Sequence, residues 1–100
     1  MRTFGPITID RDRRTITREG SPVPLTTREL DVVALLAWAD GRVLSREHIL
    51  ECVWGAADER TGASFDVLMT RIRRKLEVNR GDCIRTVRDA GYAWARERTP

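Results

Sequence analysis

The chain has 100 residues, 41% of them hydrophobic and 33% charged, with Lys+Arg 18 against Asp+Glu 15 for a net charge of +3. That composition predicts one small globular domain over residues 1–100 and excludes a disordered chain. The longest apolar run, Val32 to Ala39, is far shorter than the roughly 20 residues a membrane span needs. The start, Met1 to Pro6, carries no apolar stretch of a secretory kind, so a cytoplasmic protein with no membrane partner is expected.

Of the 18 basic residues all but Lys75 are arginine, and they are not spread evenly. The window 71–88 holds Arg71, Arg73, Arg74, Lys75, Arg80, Arg85 and Arg88 against Glu77 and Asp82, which is net +5. Concentrated guanidinium groups suit a partner that offers phosphates and guanine edges, although a solvated basic face gives the same count. Chemistry of other kinds finds little support. Cys52 and Cys83 form no close pair, and His48 stands alone, so no metal site is expected and both cysteines read as small packing residues. Neither a nucleophile with its base nor a glycine-rich phosphate loop is present, and no enzyme, cofactor or small-molecule substrate is predicted.

In chain order, Phe4 to Leu25 reads as short strands. Ile7-Thr8-Ile9 and Thr15-Ile16-Thr17 alternate with period two around a polar hairpin, residues 19–22 make a turn, and Val23-Pro24-Leu25 makes an edge strand. Thr26 with Glu29 is a capping box, Leu25 and Leu30 its hydrophobic staple, and Leu30, Val33, Ala34, Ala37 and Trp38 recur at helical spacing up to a stop at Gly41. Ser45 caps a second helix that runs through Ile49, Leu50 and Val53 to Gly55, with His48 an exposed residue of its first turn. Residues 55–62 then read as a loop.

The third helix is predicted from about Ala63 to Asn79. At 100° per residue Phe65, Leu68, Met69, Ile72 and Leu76 make one apolar stripe, and Ala63, Ser64, Val67, Thr70, Arg71, Arg74 and Val78 face away from it. Small residues followed by arginines are what a helix needs to enter a groove only about 12 Å wide. Cys83 to Arg88 and Tyr92 to Ala95 form a last hairpin, 83–96, with Asp89 and Gly91 able to take positive φ and Arg88 at its tip.

Sheet 1–25, three helices over 26–79 and a terminal hairpin describe an α+β winged helix-turn-helix. The chain resembles the OmpR/PhoB-type DNA-binding domain, the output half of bacterial response regulators of two-component systems. The match runs in order through Leu25-Thr26 with Glu29, Leu35-Leu36, residues 41–47, Val53-Trp54-Gly55, Asp66-Val67, residues 71–76, Thr86-Val87-Arg88 and Gly91-Tyr92. The resemblance implies sequence-specific binding of double-stranded DNA, with the third helix in the major groove, the wing in the minor groove, and head-to-tail pairs on direct repeats. It implies that Ser64, Val67, Thr70 and Arg71 face bases or nearby phosphates and that Arg73, Arg74 and Lys75 hold the backbone. Trp54, Thr86 and Tyr92 would touch phosphates, with helix-to-wing packing the alternative for Trp54 and Tyr92. Arg88 would enter the minor groove, and the loop 55–62 would meet RNA polymerase. The chain departs from the family pattern at Leu68, where a histidine is common, at Ala63, where an arginine is common, and at Asp89, where a glycine is common. Its 100 residues leave no room for a receiver domain, so it is expected to be a fragment or a stand-alone domain. The rival class is a winged-helix docking module that meets a protein and not DNA.

Overall fold

The computed structural model describes residues 1–77 and 81–95. Four short strands open the chain: β1 (Arg2–Phe4), β2 (Ile7–Asp10), β3 (Thr15–Arg18) and β4 (Ser21–Pro22). They form one antiparallel sheet in the order β1-β2-β3-β4. Pairs such as Ile9 with Ile16 put the period-two apolar residues on one face, where Ile7, Ile9 and Ile16 are buried. The edge strand lies two residues earlier than the sequence suggests. Pro22 pairs with Thr17 at the sheet edge, where a residue without an N–H is tolerated, and Val23 to Leu25 leads irregularly into the first helix. β1 has no alternation of its own, being three residues long, and only its pairing with β2 makes it a strand.

Helix α1 (Thr27–Trp38) starts at the predicted capping box: the Thr26 hydroxyl accepts from Glu29 N–H, and the Glu29 carboxylate accepts from Thr26 N–H. It ends where Asp40 and then Gly41 take positive φ. Helix α2 (Arg46–Trp54) is capped by Ser45 and stopped by Gly55 at φ 83°. Helix α3 (Glu59–Leu76) begins four residues before the predicted start, so the connection to α2 is 55–58 and not 55–62. The reason is local. The Asp58 carboxylate accepts from Thr61 N–H while Thr61 Oγ1 accepts from Asp58 N–H, a capping box written with Asp and Thr and therefore easily passed over. α3 ends at Leu76, short of the predicted Asn79, because Glu77 is already extended at φ −105° and ψ 136°; Val78, Asn79 and Arg80 lie outside the described residues.

The wing is β5 (Ile84–Val87) paired with β6 (Gly91–Trp94), the described part of the predicted 83–96 hairpin. Its turn uses Asp89 at φ 62° and Gly91 at φ 143°. Tyr92 exchanges two backbone hydrogen bonds with Leu44, 2.8 and 2.9 Å long, which ties the wing to the segment before α2. A Cβ on Gly91 would lie 2.0 Å from the Leu44 carbonyl oxygen, so this seat requires glycine. All of these elements share one apolar cluster, which includes Ile9 of the sheet, Leu36 of α1, Ile49 of α2, Phe65 and Ile72 of α3 and Ile84 of the wing. The predicted stripe of α3 (Phe65, Leu68, Met69, Ile72, Leu76) is buried throughout. Among the described residues no helix is long and apolar enough to cross a membrane. Cys83 is buried as expected, but Cys52 is exposed, with Sγ 3.5 Å from Nε2 of the exposed His48 one turn earlier. That corrects its reading as a packing residue: it lies on the outward side of α2.

Candidate nucleic-acid interface

The outer side of α3 is a continuous exposed stripe. Ala63, Ser64, Val67, Thr70, Arg71 and Arg74 are all exposed, and Val67 keeps 52% of its surface although it is apolar. Thr70 donates its hydroxyl to the Asp66 carbonyl. Eighteen residues give the helix a length of roughly 27 Å at about 1.5 Å per residue, so the small residues and the arginines occupy successive turns. Arg71 and Arg74 form no ion pair among the described residues, and neither do Arg85 and Arg88 on the wing. Arg85 was not singled out in the sequence. Strand period two gives it away, since Ile84 beside it is buried.

Other cations are engaged inside the fold. Arg46 forks onto both oxygens of Asp66, at 2.6 and 3.1 Å, and donates to the Gly62 carbonyl at 3.0 Å. Its guanidinium lies 2.9 Å from where a Cβ of residue 62 would stand, so Gly62 lets α2 lock onto α3. The Arg46 hydrogen bonds hold the Asp66 carboxyl below its ordinary pKa, against a smaller opposing effect of burial. The same pairing raises Arg46 further. No spacing rule connects residues twenty apart, so this lock is invisible until the helices are packed.

Lys75 sits apart from the outer stripe. Its Nζ is 2.7 Å from Oε1 of Glu29, whose side chain is 2% exposed. Burial pushes the Glu29 carboxyl up, but the hydrogen bonds from Lys75 and Thr26 and the Lys75 charge outweigh it, and the net shift is downward. Arg73 also turns inward, donating Nη2 to the Ile84 carbonyl at 3.1 Å and to Thr86 Oγ1 at 3.0 Å. The expected phosphate-holding group is thus divided by the fold: Arg74 is free on the surface, Arg73 bridges to the wing, and Lys75 bridges to α1.

The aromatic positions meet around Phe65. Trp54 packs edge-on to it at 6.0 Å between ring centroids, and Tyr92 does so from the wing at 5.3 Å. The Arg28 guanidinium covers the Trp54 ring at 5.2 Å. Both residues remain half-buried, so each packs and still presents an edge. Between α3 and the wing lies an open groove of about 560 Å³, lined by Thr70, Arg73, Arg74 and Tyr92 among others. Thr86 enters this arrangement through Arg73, and Arg88 stands exposed at the hairpin tip.

Among the described residues one set of metal-type donors exists: Glu77, Asp82 and Cys83 bring ligand atoms within 4.8 Å of one another. Glu77 already accepts from the N–H groups of Gly81, Cys83 and Ile84. Burial, with the neighbouring Asp82 and Glu77 charges, pushes the Cys83 thiol up to about 12, so it is a protonated thiol near neutral pH.

Residues 20–94 match the family described as "Transcriptional regulatory protein, C terminal". The chain belongs to this family. As an OmpR/PhoB-type domain it is 42% identical over 94 residues to the transcriptional regulatory protein PrrA of Mycobacterium tuberculosis, covering 90% of this chain and 39% of that protein. It is 39% identical over 87 residues to the response regulator ArlR of Staphylococcus aureus, covering 86% and 40%. The chain therefore spans about two fifths of the length of these regulators. Among solved structures, the RstA DNA-binding domain of Klebsiella pneumoniae, crystallised in complex with the RstA box, superposes with a TM-score of 0.83 at 33% identity, over 94% of this chain and 95% of that one. The DNA-binding domain of CpxR from E. coli gives 0.81 at 28% identity, over 95% of each. The family is one of transcriptional regulators, and the winged-helix architecture is common to these neighbours.

Proposed function

We propose that the domain binds double-stranded DNA sequence-specifically as the output part of a bacterial response regulator, with α3 in the major groove and the wing tip in the minor groove. The observation that carries this reading is the exposed stripe of α3, slim from Ala63 to Thr70 and then armed with Arg71 and Arg74, beside Arg85 and Arg88 of the wing, which form no ion pair among the described residues. Slim turns let the backbone come close to base edges, and unpaired guanidinium groups supply the counterion-releasing phosphate contacts. Likeness to a domain crystallised on its DNA box supports the same reading.

Arg71 reads a base edge, and a bidentate pair with guanine discriminates by about 1–3 kcal/mol. Ser64, Val67 and Thr70 line the same groove. Arg74 and Arg85 hold phosphates and fix register without carrying sequence information. Trp54, Thr86 and Tyr92 flank the backbone, and Arg88 enters the minor groove. Lys75 acts indirectly, by fastening α3 to Glu29. Two copies bind direct repeats head to tail, and the four-residue connection 55–58 offers RNA polymerase its contact.

The test is fluorescence anisotropy with a random double-stranded DNA pool at several salt concentrations, followed by selection and sequencing. The expected result is a steep salt slope with an enriched, repeated motif. On that motif Arg71→Ala flattens the preference between sequences, while Arg74→Ala weakens binding to all of them. Binding without enrichment overturns the specific reading, and no binding at low salt leaves the domain a protein-docking module.

A further inference from the structure

Two regions of the proposed DNA-binding face, the outer stripe of α3 and the wing tip, belong to separate elements whose relative angle decides whether both can reach one duplex. Among the described residues, the polar links between α3 with its cap and the start of the wing converge on two side chains. Arg73, 15% exposed, forks from α3 onto the Ile84 carbonyl and the Thr86 hydroxyl of β5. Glu77, 1% exposed, is the residue that ends α3, and its two carboxylate oxygens accept from the N–H groups of Gly81, Cys83 and Ile84 at 3.1, 3.1 and 2.7 Å. The two side chains face each other, with Arg73 Nε 3.7 Å from Glu77 Oε2. That Nε is fully buried with no hydrogen-bond partner of its own, so the guanidinium is held here by its fork and by the Glu77 charge.

Helix chemistry makes Glu77 a conspicuous choice. A carboxylate at a helix C-terminus opposes the dipole, and three backbone donors from the wing approach are what offset it. The chain thus fixes the entry of β5 by a group belonging to the end of α3, and a second group one turn earlier grips β5 further along.

We propose that Arg73 and Glu77 are positioning residues that set the wing against α3, so that Arg88 and the Arg71/Arg74 face engage the same duplex. The proposal rests on the DNA-binding reading for its consequence, while the geometry it invokes can be measured without DNA. It assigns Arg73 a task different from the phosphate contact that its place in the sequence motif suggests.

The test uses the full chain and four variants: Arg73→Gln, Arg73→Lys, Glu77→Gln and Arg88→Ala, with thermal melts to confirm that each folds. Without DNA, amide exchange of β5 should rise about tenfold in Arg73→Gln while α1 and α2 stay protected, and unchanged exchange would overturn the positioning role. With a labelled duplex carrying the most enriched selected sequence, Arg88→Ala should weaken binding in the wild-type background and do little more in the Arg73→Gln background. Independent penalties that multiply, with the salt slope falling by about one further unit, would make Arg73 a phosphate ligand instead. Both bonds leave the single nitrogen Nη2, and a lysine ammonium can also donate to two acceptors, so Arg73→Lys should keep β5 better protected than Arg73→Gln does, and exchange equal to that of Arg73→Gln would count against the proposal. Glu77→Gln removes a buried negative charge from beneath the proposed DNA-binding face and yet should weaken binding; a gain in affinity would refute it. Should the wild-type chain bind no DNA, the exchange experiment still decides the wing geometry alone.

Discussion

The domain contains two antiparallel β regions that use arginine in opposite ways. In the N-terminal sheet and its turns most cations are engaged: Arg14 pairs with Asp31 at 2.8 Å, Arg18 donates to the Leu76 carbonyl and pairs with Asp82, and Arg2 and Arg11 lie over the Trp38 ring at 5.1 and 4.9 Å, while Arg13 stands exposed in the turn. In the wing Arg85 and Arg88 project with no ion-pair partner among the described residues. The difference teaches that net charge is a poor guide to a binding face. What matters is where the fold leaves guanidinium groups uncommitted side by side, and among the described residues α3 and the wing bring four together where the sheet leaves Arg13.

If the sheet is structural and the wing functional, perturbations should separate along that line. The largest loss is expected in the sheet, where Ile9 is fully buried. Ile9→Ala should cost about 2–5 kcal/mol in a denaturant melt, with the folded fraction keeping its DNA affinity. A loss of affinity matching the loss of stability would merge the two regions. Next comes the seat of the wing, where a methyl on Gly91 meets the Leu44 carbonyl. Gly91→Ala should cost about 2–3 kcal/mol and, unlike the sheet variant, reduce DNA binding in molecules that are still folded.

The Glu29–Lys75 pair joins α1 to α3 and predicts a pH signature. Glu29 is held below its ordinary value of 4.5, so its contribution is present above that pH and is lost as the pH falls through the lower, folded value. Lys75→Met should shrink that acid-side dependence, leaving the part due to Thr26, and destabilise by about 1–2 kcal/mol at neutral pH, read as melting temperature against pH. An unchanged pH profile would show that Lys75 does not set the carboxylate. The smallest effect belongs to the exposed Arg14–Asp31 pair. Arg14→Ala should change stability by less than about 1 kcal/mol and leave the salt slope of DNA binding alone.

Much of this architecture was legible in the sequence because its signals are local. The Thr26–Glu29 box, the Ser45 cap, the Gly55 stop and the stripe from Phe65 to Leu76 all depend on spacings of four residues or fewer. α3 starts four residues before its sequence-based start because Asp58-x-x-Thr61 caps with a hydroxyl in the usual carboxylate place, and Gly62, which reads as the end of a loop, is a packing site for Arg46 inside the helix. The edge strand was shifted because Val23 to Leu25 has strand composition but no ladder partner, while Ser21–Pro22 has the partner. The outer stripe of the candidate site was readable from helical periodicity. The commitments of Arg46, Arg73 and Lys75 were not, since they join residues 11 to 46 positions apart and only the tertiary fold brings those together.

The central claim is that uncommitted arginines, and not basic residues in general, make the DNA-binding face. The most direct measurement is the salt dependence of affinity for one selected duplex, compared across Arg71→Ala, Arg74→Ala and Arg88→Ala on one side and Arg14→Ala and Arg18→Ala on the other. The account predicts that Arg74→Ala lowers the slope of log affinity against log salt by about one unit, that Arg71→Ala and Arg88→Ala weaken binding to this duplex through lost groove contacts, and that the last two leave slope and affinity unchanged. Equal changes in both groups would contradict it.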